Sequence, residues 1–253
     1  SIKDANERAL RLIAGEIDIL QGDISPSIYN HLLSYENLRG MRARGATFSY
    51  LGFNLGKGIT SEPDLRQAVA LAINREELLE FLFKGTARMA SAIFPPEHWA
   101  GAGNLPKLRY DPAEARALVS QLEDIYGPIT LTYKTSTNKF RQRIATVIKS
   151  QLAAVGMELQ IERLDFSTLM RDVTTSRFQL YSLSWVGLNS PDIFRQIFHS
   201  TSLPPSGKNR GRYQSVHADR LIEAAEKEVS FEARGAIYRK LELHLLKELP
   251  YFP

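Results

Sequence analysis

The sequence contains no cysteine, which excludes disulfides, thiol nucleophiles and thiolate metal sites but does not choose a compartment. Long apolar runs are also absent. No stretch approaches the ~18 residues of a membrane span, and no charged segment followed by an apolar one opens the chain as a leader peptide would. Nor is there a run of five or more basic residues. The formal charge of +4 is spread through segments that also carry Asp and Glu, so no nucleic-acid partner is expected. The five histidines, His31, His98, His199, His217 and His244, fall at no metal-ligand spacing. The Gly-x-Ser-x-Gly elbow, the Gly-x-x-x-x-Gly-Lys phosphate loop and Gly-x-Gly-x-x-Gly are missing, and the glycines of "LGFNLGKG" have the spacing of a turn. An enzyme is therefore not expected, and no cofactor or metal is implied.

What is present suits a substantial core, as one large domain or one and a half: 253 residues, 43% of them hydrophobic. Ala9, Leu12 and Ile13 share a helical face, Gly15 stops that helix, and "IDIL" after it reads as a short strand. A second helix is expected from Pro26 to Leu33. "ATFSYLGFNL" then reads as a strand buried on both faces. Pro63 opens one further helix, and Asn74 with Glu77 opens another that Gly85 closes. Residues 91–109, with three of the twelve prolines, form an extended crossing loop. Asp111, Pro112 and Glu114 start the helix that follows it.

Residues 129–186 are the most informative. "ITLTY", "MELQIERL" and "FQLYSLSWV" alternate as strands, and between them "NKFRQRIATVIKSQLAAV" and "FSTLMRDVTTS" have helical spacing. Strand, helix, strand, helix, strand with short connections implies parallel strands joined by crossovers. After a loop from 203 to 212, two amphipathic helices follow, carrying Leu221, Ile222 and Ala225, then Ile237, Leu241 and Leu245. The opening "SIKDANERALRLIAGEIDIL" reads as the middle of a domain and "LHLLKELPYFP" as a stop inside one, so a fragment of a longer protein is expected.

Parallel sheets bind ligands outside the carboxyl ends of their strands. That rule selects "YKTSTN", "LDFS" and "WVGLNSPD", which offer Lys134, Thr135, Ser136, Trp185 and Asn189 to a polar ligand. Thr137 or Asn138, Asp165 or Ser167, and Asp192 are of the types that cap helices, and capping of the three following helices is the expected role rather than a carboxylate pair at Asp165 and Asp192.

Six segments in order, from "LRLIAGEIDI" and "YLGFNL" through "LRQAVALAINREELLEFLFKG", "YDPAEARALV" and "RQRIATVIKSQLAAVGMELQIERLDFSTLMRDVTTSRFQLYSLSWVG" to "ADRLIEAAEKEVSFEARGAIYRKLELHLLKELPYFP", resemble the family 5 extracellular solute-binding proteins, the peptide, oligopeptide and nickel type. The resemblance covers nearly the whole chain. It implies an α/β, periplasmic-binding-protein-like lobe (type II, cluster C-like) with a parallel-containing sheet flanked by helices. Residues 1–50 would be a partial segment of the first lobe and 51–253 the second. The implied activity is capture of a small solute or peptide between two lobes, in the periplasm or cell envelope, by a monomer that passes it to a membrane ABC permease. The fold also serves as the sensor half of some transcriptional regulators, which is the alternative. In dipeptide- and oligopeptide-binding members an Asp in the loop after the third strand holds the peptide α-amino group. Leu188 stands at the matching position here, and the arginine that meets the carboxylate has no counterpart in "KTSTN". Loss of such a desolvated contact costs about 2 to 5 kcal/mol. The departure counts against a free dipeptide held by both ends and leaves longer peptides, glycosides, opines and metal chelates.

Overall fold

The computed structural model describes every residue except 1, 3, 23 and 44. The chain divides into two compact units, one of residues 1–45 and 75–89 and one of 46–74 and 90–253.

The smaller unit is helical. Helix α1 (Ala5–Ile13) is capped by Asp4, whose carboxylate accepts the N–H groups of Asn6 and Glu7 at 2.9 and 3.0 Å, and α2 (Pro26–Leu32) begins on Ser25 with proline in its first turn. A short α4 (Arg75–Glu77) runs into a π-helical turn, Leu78–Phe83, which ends where Lys84 and Gly85 adopt left-handed backbone conformations at φ 48° and 73°. The strand expected at "IDIL" does not form. Those residues pair with no other described segment, and Ile19 is 82% exposed. Alternation alone cannot make a strand where no ladder partner is within reach.

The larger unit is built on a five-stranded sheet ordered β3-β2-β4-β1-β5. Strands β2 (Thr130–Ser136), β3 (Glu158–Leu164) and β4 (Leu180–Trp185) are parallel, as the strand-helix repeat implies; β1 (Phe48–Phe53) runs antiparallel to β4 and to β5 (Tyr251–Phe252). The chain steps from β2 outward to β3 through α6 (Lys139–Ala153), then back across β2 to β4 through α7 (Phe166–Thr174). That reversal brings the carboxyl ends of β2 and β4 side by side, with their following loops leaving in different directions.

Helices α6 and α7 cover opposite faces. Arg141 of α6 reaches Ser184, whereas Asp172 of α7 reaches Lys134, a residue whose side chain points away from that of its neighbour Thr135. Helix α3 (Pro63–Ala72) packs on α5 (Pro112–Tyr126) and α6. Three more helices, α8 (Ile193–Phe198), α9 (Val216–Lys227) and α10 (Phe231–Glu248), complete a core that joins Leu169 and Val173 of α7 to Tyr50, Tyr181, Phe94, Phe194, Tyr238 and Leu241. Gly52 is required on this side: a Cβ there would lie 2.4 Å from the Tyr181 ring, which rests directly over β1.

Candidate functional site

The loops leaving the parallel strands are pinned by their own polar residues. Asn138 accepts the N–H groups of Phe140 and Arg141 at 3.0 and 3.1 Å, and Asp165 accepts Thr168 N–H at 3.0 Å, so both cap helices. The Ser167 hydroxyl and that backbone bond hold the Asp165 carboxyl well below the usual range. Asp192 occupies the cap position of α8 without a side-chain capping bond.

The six residues selected from sequence do not share one surface. Thr135 is fully buried, with its hydroxyl 3.4 Å from Ser182 Oγ on the α6 face. Lys134 points to the α7 face, where its ammonium meets Asp172 at 2.8 Å and Glu162 at 3.0 Å. Burial pulls the Lys134 pKa down, but the two carboxylates outweigh it and the net shift is upward; the same ammonium holds Asp172 low. Leu188 is buried in the core, its N–H directed to the Ala46 carbonyl at 3.4 Å. Ser136 and Trp185 are half-buried and Asn189 is exposed beside Gly187, which turns at φ 69°.

Two further constellations escaped the sequence reading. On the α6 face, Ser49 and Ser184 bond at 2.8 Å and the Arg141 guanidinium donates to Ser184 at 3.0 Å, extending the Thr135 and Ser182 hydroxyls into a polar ladder. The alternate serines of "YSLSW" were its signal, visible only once pairing put Ser49 opposite Ser184. On the other face Tyr50 stacks on Tyr251 at 3.8 Å, meets Tyr181 edge-on at 5.8 Å and lies parallel to Trp185 at 6.4 Å. The three phenol hydroxyls and Trp185 Nε1 are buried and crowd one another, yet none has a partner at hydrogen-bonding geometry among the described residues. Burial pushes the Tyr50 and Tyr181 phenols well above their ordinary pKa.

Over the Trp185 ring lies the Arg210 guanidinium, 4.9 Å from its centroid, with the Lys208 ammonium at 6.0 Å. Between these two, Asn209 is buried: its amide donates to the His199 and Tyr213 carbonyls at 3.2 and 2.7 Å and accepts Tyr213 N–H at 3.0 Å. Sequence gave no hint that the 203–212 loop would return to β4.

An open sheet whose parallel strands end in a cluster of aromatic rings, hydroxyls and cations is the architecture of a ligand-binding α/β lobe. The profile described as "Bacterial extracellular solute-binding proteins, family 5 Middle" matches residues 1–203, and the chain belongs to that family. It is 26% identical over 253 residues to a protein of Pseudomonas aeruginosa named "Probable di/tripeptide-binding protein 5", an alignment covering 99% of this chain and 48% of the relative. In fold it superposes on the oligopeptide-binding protein AppA of Bacillus subtilis, solved with a nonapeptide, with a TM-score of 0.87 and 24% identity over 99% of this chain and 52% of that one. It also superposes on NikZ of Campylobacter jejuni, solved with Ni(L-His), with a TM-score of 0.84 and 21% identity over 99% and 52%. The chain spans about half the length of the relatives it matches.

Proposed function

We propose that this chain is part of a periplasmic or envelope solute receptor that captures a peptide and delivers it to a membrane ABC permease, as its family membership suggests. In this reading residues 51–253 are the second lobe of that receptor, returning toward the first at the C-terminal end, and residues 1–50 are part of the first. The observation that carries the peptide reading is the near-complete alignment of the chain with a relative named for di- and tripeptide binding. The strand exits fit the role physically: Trp185 offers an aromatic wall, and Ser136 and Asn189 are polar residues of those exits that stay partly or fully exposed. Leu188 belongs to the same apolar cluster as Trp185, whereas Thr135 and Lys134 are engaged with Ser182 and Asp172 inside the lobe. Binding would use hinge closure between lobes, which costs little when the recognition surfaces are already rigid.

The test is to express the full-length gene product and identify co-purified ligand by mass spectrometry. A peptide is expected, with Trp185→Ala lowering its affinity about tenfold or more. A non-peptide cargo such as a nickel–histidine chelate would overturn the peptide assignment. An affinity unchanged within about 0.5 kcal/mol, the usual span of neutral surface changes, would overturn the placement of the site.

A further inference from the structure

Arg210 is a built-in cation rather than a stray one. Its position is set by Asn209, whose side chain is fully engaged with the His199 and Tyr213 backbone, while the Asn209 N–H donates to the Ser202 carbonyl at 2.8 Å. Arg210 itself is half-buried over Trp185 and has no ion-pair partner among the described residues. The contrast with other cations of this unit is sharp: Lys134 is held by two carboxylates and Arg195 by both oxygens of Glu226 at 2.6 Å. Beneath Arg210, close enough to feel its charge, the buried hydroxyls of Tyr50 and Tyr251 and Trp185 Nε1 crowd one another without a hydrogen bond of good geometry. Of these groups the half-buried guanidinium fork is the one an incoming group can reach, and it carries positive charge and hydrogen-bond donors with no acceptor. A group with matching acceptors and a negative charge fits that set; an ammonium does not.

From this geometry we infer that Arg210, laid across Trp185, is a specificity-determining residue that receives a carboxylate of the ligand. The inference rests on the peptide-receptor reading and deepens it: the cargo is a peptide presenting a carboxylate to the exit of β4. That carboxylate is either the chain terminus or an acidic side chain.

The full-length protein, freed of co-purifying ligand, would be incubated with an equimolar mixture. It would hold alanine tri- to pentapeptides as free acids, the same peptides as carboxamides, carboxamides with one internal glutamate, and the non-peptide acids citrate and glucarate. Native mass spectrometry reads what is retained. We expect the free acids or the glutamate carboxamides to be retained about tenfold or more over the neutral carboxamides, and which of the two is retained identifies the carboxylate. Arg210→Gln is expected to bring that ratio close to one without changing the urea midpoint, with Arg210→Lys in between because it keeps the charge and loses the fork. Equal retention of acids and neutral amides, or a preference untouched by Arg210→Gln, overturns the inference and leaves the peptide reading standing. Retention of citrate or glucarate in place of peptides, lost in Arg210→Gln, supports the role of Arg210 and overturns the peptide reading. Retention of nothing in the mixture overturns both.

Discussion

On the α6 face of the sheet, Thr135, Ser182, Ser184 and Ser49 find one another or Arg141, so every hydroxyl of the ladder has a partner within the lobe. On the opposite face, Tyr50, Tyr181, Tyr251 and Trp185 bring as many polar atoms together and leave all of them unpartnered. The same strands supply both sets. Small hydroxyls on neighbouring strands lie close enough to bond across the ladder, whereas phenol oxygens sit at the ends of rigid rings whose packing decides where they fall. One face is complete as a structure, and the other keeps unused hydrogen-bonding capacity under a cation. The proposed recognition surface lies on the second.

The comparison can be probed by substitution, and the largest effect is expected from Glu242. Its carboxyl is buried on the aromatic side, accepts the Ile93 and Phe94 N–H groups, the first at 2.9 Å, and is pushed up to about 8, chiefly by burial. Its folded-state pKa exceeds the unfolded one, so the folded chain holds the extra proton. The Glu242 contribution to stability is then greatest below about pH 4.5 and falls as the pH rises toward 8, by at most about 1.4 kcal/mol per pH unit. Glu242→Gln should flatten this slope in urea titrations between pH 5 and 8; an unchanged slope would show that the aromatic side does not bury a titrating acid.

Next in size is Asp172→Ala, which leaves the Lys134 ammonium, only 11% exposed, with Glu162 alone. A loss of about 2 kcal/mol is expected, below the 3 to 5 typical of fully buried pairs because one carboxylate remains. The Asp172 share is present at neutral pH and fades as the pH falls through its depressed pKa. A loss under about 0.5 kcal/mol would mean that the pair is solvated.

The smallest effects discriminate the two faces directly. Ser182→Ala removes a bonded hydroxyl and should cost about 1 kcal/mol, while Tyr181→Phe removes an unpartnered one and should fall within about 0.5 kcal/mol of neutral or stabilise the lobe. Equal losses in thermal denaturation would erase the distinction between the faces.

Much of the lobe was legible in advance. The alternation of "ITLTY", "MELQIERL" and "FQLYSLSWV" with two helical patterns between them anticipated three parallel strands, and Asn138 and Asp165 appear as the helix caps that their residue types indicated. "IDIL" failed because periodicity describes which face of a strand could be buried and says nothing of whether a neighbour exists. The candidate site was legible only as a set of strand ends. Lys134 and Thr135, adjacent in sequence, turn to opposite faces and into internal partners, and Leu188 turns inward to the core.

The sequence by itself determined the strand-helix order of residues 129–186, the caps at Asn138 and Asp165, the exclusion of thiol chemistry and the likeness to family 5, because these rest on local pattern and on residues close in the chain. Only the tertiary structure decided which polar groups satisfy one another. Tyr50, Trp185, Arg210 and Tyr251 lie far apart in the chain, and strand pairing with the return of the 203–212 loop puts them together. Hydrogen bonds and cation contacts act over a few ångströms, so whether a buried donor is already spoken for or free to receive a ligand is set by the folded arrangement.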